Sequence, residues 1–396
     1  MAYGRNLLLL SIVFLVCSLA LNLVGPIWPI YIKNSLNASM TELGFVFSLS
    51  NAVSAVMQII CGFLSDKYGR KRLHALGTLL AAFPPLMYTL ANNWVDLIPW
   101  VMLSGFASGL YLPMRWAIVA DVSSSKTMAK AFGWVNISWL LGSTIAPYIG
   151  GMIADSFGIR FPFYFYSLLI FAVFPLTLLM EETRRKPQAM TAGKESKAPL
   201  IHGYFVALIM FSLINIFQGI GIGVTGPVIS VFVLSQFPVD YTFIGILFAI
   251  GFGAASMVVQ IPASRLSYAF DRRRIIFISI VASAPFFLLF AYSQNIIELI
   301  VLMFLSNAIL NSSWPAFQTL MMDTTPSSKW GLVNGVSATT WWTGMMTGNA
   351  LSGILWDNCG MYAPFWTSAI AVGLSAAPLL LLKETRKKKN QEEIRK

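Results

Sequence analysis

Apolar residues in this chain fall in long unbroken blocks rather than in short stripes at helical or strand spacing. Twelve blocks stand out, at about residues 7–30, 43–64, 73–92, 97–119, 131–154, 161–180, 201–223, 242–263, 275–293, 296–321, 331–355 and 362–382. Wound as an α-helix rising 1.5 Å per residue, each block crosses a hydrocarbon core of ~30 Å. Lipid offers no partners to backbone polar groups, so spanning segments must satisfy them internally. The pattern therefore predicts an all-α membrane protein of twelve transmembrane helices. The first block is too long for the apolar region of a signal peptide and many equal blocks follow it, so it is read as a retained span.

Composition sharpens this picture. Of 396 residues, 57% are hydrophobic and 11% charged, less than half the charge of a typical soluble domain at ~25%. An ordinary soluble enzyme, a disordered chain and a nucleic-acid binder are excluded, despite the net charge of +11. The charge has another explanation. With the N-terminus in the cytoplasm, 24 of the 27 Lys and Arg fall on the cytoplasmic side. Only Lys33 and Arg160 lie outside, and Arg115 lies within the fourth span. This is the positive-inside asymmetry, with basic loops facing an anionic leaflet. It predicts a multi-pass plasma-membrane protein in contact with the lipid bilayer, both termini cytoplasmic.

Candidate chemistry is sparse. Cys17, Cys61 and Cys359 have no close spacing, and His74 and His202 each begin an apolar block. Neither a disulfide framework nor a metal site is expected. No phosphate-binding loop is present, so nothing points to ATP. No nucleophile–base pair appears either, and the expectation is a non-enzyme without cofactor or metal.

The chain repeats itself at an offset of about 202 residues. Pro113 matches Pro315, Asp121 matches Asp323, Gly133 matches Gly335 and Gly142 matches Gly344. Asp155 matches Asp357, Gly158 matches Gly360, and Glu182-Thr183-Arg184 matches Glu384-Thr385-Arg386. Near the start the offset is 201, with Gly25-Pro26 matching Gly226-Pro227. The predicted organisation is a six-helix bundle over 1–183, a polar cytoplasmic linker over 184–200, a second six-helix bundle over 201–383 and a basic tail over 384–396. Two similar bundles around a midplane cavity are the architecture by which secondary transporters alternate access.

The loop after the second span reads Gly62-Phe-Leu-Ser-Asp66-Lys-Tyr-Gly69-Arg70-Lys71-Arg72. It resembles the signature loop of the major facilitator superfamily, and the twelve spans, two halves and basic linker extend the resemblance over the whole chain. Gly62 and Gly69 suit close helix contact and a tight turn, and Asp66 among basic neighbours is expected to be ionised and paired. The resemblance implies that Asp66 and Arg70, with Lys71 alongside and Asp121 as a third member, latch the two halves together in the outward-facing state. A solvated turn that merely obeys the charge rule is the plainer alternative. The second copy has Tyr268 for the Asp and Asp271 for the second Gly, which argues against an equivalent latch there.

The fifth span carries Gly142-x-x-x-Ala146-Pro147-x-x-Gly150-Gly151. It resembles the motif of the superfamily's drug-and-proton antiporters, with Ala in place of one Gly. Such small residues also let helices pack closely, and Pro147 is expected to kink the helix. The antiporters' Arg in the fourth span is missing, since Val101 occupies its place. The middles of spans 7, 8, 10 and 11 contain no acidic residue, and span 1 has none at all. Proton coupling needs a titratable group in the pathway, and the usual proton machinery is not visible; exchange of solutes or facilitated diffusion stands beside a proton as the alternative.

Polar faces mark a cavity. Span 10 presents Asn307, Asn311, Trp314 and Gln318 at one helical face. Span 4 presents Ser104, Ser108, Tyr111 and Arg115; span 1 offers Asn22, and span 7 offers Asn215 and Gln218. By resemblance, spans 1, 4, 7 and 10 line the central cavity. The alternative is that these amides tie helices together, at ~0.6–2 kcal/mol each. The expectation is a monomeric secondary transporter moving a small organic solute by alternating access, with efflux of amphipathic compounds first. Alternatives are an uptake carrier or facilitator for a neutral solute such as a sugar, and a transport-dead receptor or scaffold.

Overall fold

The computed structural model describes residues 2–123, 128–183, 201–325 and 329–382, and every regular element among them is helical. The linker 184–200 and the tail 384–396 lie outside the described residues.

In the first half, α1 (Ala2–Val24) turns at Gly25-Pro26-Ile27 and continues through Trp28–Ile30 into a π turn, Tyr31–Ser35. Then come α2 (Met40–Tyr68), α3 (Arg70–Ala81, resumed as Phe83–Tyr88), α4 (Ile98–Val122), α5 (Met128–Phe157) and α6 (Phe161–Leu178). The second half repeats the plan. It comprises α7 (Ile201–Thr225, resumed as Ile229–Gln236), α8 (Tyr241–Phe248, a π segment Ala249–Ala254, then Ala255–Ala269) and α9 (Arg272–Phe290). It ends with α10 (Ile296–Ser312, resumed as Trp314–Asp323), α11 (Trp330–Cys359) and α12 (Ala363–Leu374).

Ten of these segments are long and apolar enough to span a membrane without further argument. The other two predicted spans are α3 and α11. Helix α3 is interrupted beside Pro84-Pro85, which bring no backbone N–H. Helix α11 is less apolar, and its hydroxyls fold back onto its own carbonyls: Thr340 on Val336 (2.9 Å), Thr343 on Thr339 (2.9 Å) and Thr347 on Thr343 (2.9 Å). A Thr that serves its own helix is tolerated at membrane depth because no donor is left open.

The repeat is visible in the capping chemistry. Ser39 caps α2 by accepting from the Glu42 N–H, and Asp240, 201 residues on, caps α8 by accepting from Phe243. Asn93 accepts from the Asp96 N–H, and Asn295, 202 residues on, accepts from Glu298. Asn, Asp and Ser are the residues that serve this role best. Gly158 and Gly360, matched at 202, end α5 and α11 with φ of 107° and 93°, a conformation that side chains disfavour.

The halves meet along two antiparallel seams. In one, α2 runs against α11, from Met40 beside Gly353 through Gly44 beside Asn349 to Ser48, whose hydroxyl donates to the Met346 carbonyl at 2.9 Å. In the other, α5 runs against α8, with Gly151 on Tyr241, Gly245 on Pro147 and Gly253 on Ser143. Both seams lie toward the far end, away from the chain's N-terminus. At the basic end the repeat-related Gly133 and Gly335 have open space where a side chain would sit, and Trp134, Val258 and Ile261 are exposed. The two bundles are thus joined at the far end and splayed at the basic end.

Candidate transport pathway

Each far-end seam is closed by one carboxylate. Asp155, at the end of α5, accepts from the backbone N–H groups of Tyr241 (3.1 Å) and Thr242 (2.7 Å) and from the Thr242 hydroxyl (2.5 Å). Asp357, at the end of α11, accepts from the Thr41 N–H (2.8 Å) and hydroxyl (2.7 Å). In both cases a carboxylate of one half sits on the first turn of a helix in the other half, where orphan N–H groups and the helix dipole favour negative charge. The sequence marked Asp155 and Asp357 as repeat partners but gave them no role. The missing signal was the pairing of Thr41 with Thr242 at the same 201 offset seen for Gly25 and Gly226.

The small-residue motif of α5 divides into two faces. Gly142 and Gly150 press on Ser18 and Leu23 of α1, within the first half. Pro147 and Gly151 press on Gly245 and Tyr241 of α8, across the seam. Ala146 is fully buried. Helix α5 runs unbroken through Pro147, so the expected kink does not interrupt it. In this arrangement the motif is a packing surface that brings backbones together.

At the basic end, Arg70 pairs with Asp121 at 2.5 Å and donates to the Ala117 carbonyl at 2.7 Å. Glu182, marked in the sequence as a repeat match of Glu384 but given no role, accepts from the backbone N–H groups of Arg70 (2.9 Å) and Lys71 (3.4 Å) and so caps α3. Gly69 turns the chain there with φ of 88°, and a side chain at that position would strike the Glu182 carboxylate. A side chain at Gly62 would meet nothing within 4 Å, and the Gly62 carbonyl accepts from the Ser65 hydroxyl at 2.8 Å. The Asp66 side chain lies outside the described residues. The second half carries a matching pair within its own bundle. Arg272 pairs with Asp323, repeating Arg70 and Asp121 at 202 residues although the loop itself has diverged.

The polar faces of the interior are partly committed to helix contacts. Asn22 donates to the Ser18 carbonyl (2.8 Å) and hydroxyl (3.2 Å), and Ser18 donates to the Trp139 carbonyl (2.6 Å). Asn215 is buried and donates to the Ser337 hydroxyl at 2.8 Å. Asn307 donates to its own helix at Met303, and Asn311 donates to the Asn307 carbonyl (2.8 Å) and the Ser256 hydroxyl (3.3 Å). Helix α10 breaks at Ser313, so Trp314 and Gln318 do not continue the Asn307–Asn311 face as one unbroken helix. Trp314 is 46% exposed and Gln318 half-buried, while Gln218 and Tyr111 are buried. Arg115 of α4 lies between rings, its Cζ 4.2 Å from the Phe14 centroid, 4.3 Å from Trp116 and 5.0 Å from Trp139. No group of His, Cys, Asp and Glu among the described residues could hold a metal ion.

Comparison with known proteins converges on one family. The model of the Major Facilitator Superfamily matches residues 10–217 and 211–396. The multidrug resistance protein MdtG of Enterobacter lignolyticus is 27% identical over 384 residues, covering 94% of this chain and 91% of that protein. Multidrug resistance protein 2 of Bacillus subtilis is 25% identical over 393 residues, covering 96% and 95%. The quinolone resistance protein NorA of Staphylococcus aureus is 24% identical over 388 residues, covering 95% of each. Among solved structures, an inward-facing, occupied bacterial homologue of the human lysosomal transporter Spinster superposes with a TM-score of 0.79 at 14% identity, covering 96% of this chain and 97% of that one. A D-xylose–proton symporter gives 0.79 at 15% identity, covering 96% and 98%. With a family model spanning nearly the whole chain and the same two-bundle fold, the chain belongs to the Major Facilitator Superfamily and is a multi-pass membrane transporter of small molecules.

Proposed function

We propose that this transporter exports amphipathic organic compounds across the plasma membrane by alternating access. The far-end closure carries the reading: two repeat-related carboxylates clasp helices of opposite halves while the basic ends stand apart. With 24 of 27 basic residues on one side, the positive-inside rule assigns the open end to the cytoplasm. The conformation is then one that admits solute from the cytoplasm and seals it from outside. The three full-length sequence relatives named above are resistance proteins, which favours export over uptake.

The pathway would be lined by Asn22, Tyr111, Gln218, Asn307, Asn311, Trp314 and Gln318. Asn215, 2% exposed and bonded to Ser337 of another helix, shapes the wall rather than meets the solute. Aromatic rings with a few amides suit an amphipathic ligand. The chain works as a monomer, each copy holding both halves of one pathway. No acidic residue lies in the middle of the cavity spans, which favours solute exchange over proton antiport as the coupling. The loop at Gly69–Lys71, with Asp66, would close the cytoplasmic end in the opposite state.

The test is flux. Purified protein reconstituted into liposomes, loaded with labelled amphipathic aromatic compounds, should release at least one of them saturably and faster than protein-free vesicles. Binding without movement would identify a receptor instead.

A further inference from the structure

Arg115 is a fixed charge at membrane depth with no acid to meet it. Its Nε and Nη1 are sealed from solvent and find no acceptor. The side chains gathered around it are Phe14, Cys17, His74, Tyr111, Trp116 and Trp139, and none is acidic. His74 repeats the deficit. It is buried, its ring lies 6.1 Å from that of Phe14, and neither ring nitrogen has a partner. A guanidinium stays charged at any pH a protein survives. Aromatic faces attract it but accept none of its N–H groups in the way an oxyanion does. A buried charged donor without an acceptor is costly, and intramembrane cations that persist at this depth mark substrate pathways or counter-ions.

The box also has an open side. Arg115, Trp116 and Trp139 are each half-buried, and Trp139 lies on α5, the helix that carries the seam. An anionic group entering there would approach the guanidinium between flat rings that suit an apolar body.

Resting on the export reading above, we propose that the transported solutes are amphipathic organic anions, typified by aromatic carboxylates, and that Arg115 seats the anionic group. Among the described residues, the one fixed charge inside the apolar stretches of the cavity spans is Arg115, toward the basic end of α4, and it is positive, so a cationic solute of the same shape is repelled where a carboxylate is held. The ring of such a solute lies against Trp116 or Trp139.

Three isosteric probes separate this from its rivals: 1-naphthoate, 1-naphthamide and 1-naphthylmethylammonium. Binding to the full-length protein in nanodiscs is read from quenching of tryptophan emission, and release is read from proteoliposomes. The wild type should bind the carboxylate about tenfold more tightly than the amide, a preference of the size one charge-assisted pair supplies, and bind the ammonium least. Arg115→Gln should bring the carboxylate-to-amide ratio to about one, and Arg115→Lys should keep part of it. If Arg115→Gln does not fold, the order of the three probes on the wild type still decides. Equal binding of acid and amide, a preference for the ammonium, or an acid preference that survives Arg115→Gln would overturn the proposal. Release of the amide or ammonium but not the acid would leave the export reading standing and remove this one. Release of none of the three, with none bound, would remove both.

Discussion

Asp357 in the second half holds Thr41 in the first: one carboxylate oxygen accepts from the Thr41 N–H at 2.8 Å and from its hydroxyl at 2.7 Å. Asp155 and Thr242 repeat the arrangement with the halves exchanged. Each contact joins a helix end to a helix start across the seam, so the pair forms a two-point clasp that must open if the far end is to admit water. Each clasp is a charge-assisted contact of about 1.5–3 kcal/mol, small enough to break within a transport cycle and large enough to bias the resting state.

Asp357→Asn should shift the protein toward far-end opening. Ser48, whose hydroxyl is held by Met346 in the α2–α11 seam, offers the reporter. In a background where the exposed Cys359 is replaced by serine, a bulky thiol reagent should label Ser48→Cys slowly. Adding Asp357→Asn should speed labelling about tenfold, the consequence of losing about 1.4 kcal/mol. Adding Asp155→Asn as well should speed it further.

Glycines at the two ends should respond oppositely to the same change. A methyl at Gly151 would lie 2.7 Å from the Thr242 Cα, and such overpacking costs about 1–3 kcal/mol. Nothing lies within contact distance of Gly133, where alanine should gain about 0.5–1 kcal/mol from helix propensity. Thermal unfolding in detergent should rank Gly133→Ala at or above the wild type and Gly151→Ala below it.

The two basic-end ion pairs should differ in strength because they differ in exposure. The Arg70–Asp121 side chains are 25% and 7% accessible, whereas those of Arg272 and Asp323 are 13% and 43%. The better-shielded carboxylate loses more when neutralised. Asp121→Asn should therefore lower the unfolding temperature more than Asp323→Asn, and equal shifts would show that solvent screens both pairs alike.

Among the interior amides, the bonded and the unbonded should separate by assay. Asn215→Ala removes a buried bond to Ser337 and should cost ~0.6–2 kcal/mol of stability. Gln318 is half-buried, and Gln318→Ala should weaken solute binding several-fold with little change in unfolding temperature.

Much of this was legible in the chain itself, and the limits have physical causes. Block lengths announce the spans because a bilayer of fixed thickness demands them, and the repeat announces the two bundles. Periodicity cannot show where a helix breaks, as α10 does at Ser313, because polar residues on either side still fit one helical face. Nor does a motif show which neighbour it touches. Gly142 and Gly151 belong to one pattern, yet one packs against α1 of its own half and the other against α8 across the seam. The Arg272–Asp323 pair survived where the surrounding loop had diverged, so judging that loop by its Tyr268 and Asp271 missed the charges flanking it. Asp155 and Asp357 were visible as matched residues, but their role depends on which helix starts lie beside them, a relation made only by the assembled halves.

Pulsed electron-spin distances test the central claim most directly. One pair of labels would report the far end, at Phe157 and Phe243, and one the basic end, at Trp134 and Ile261, all exposed positions on α5 and α8. Across conditions that drive transport, the account predicts that one distance lengthens as the other shortens. Two distances that stay fixed during measured flux, or that rise and fall together, would contradict a carrier whose halves rock about a central pathway.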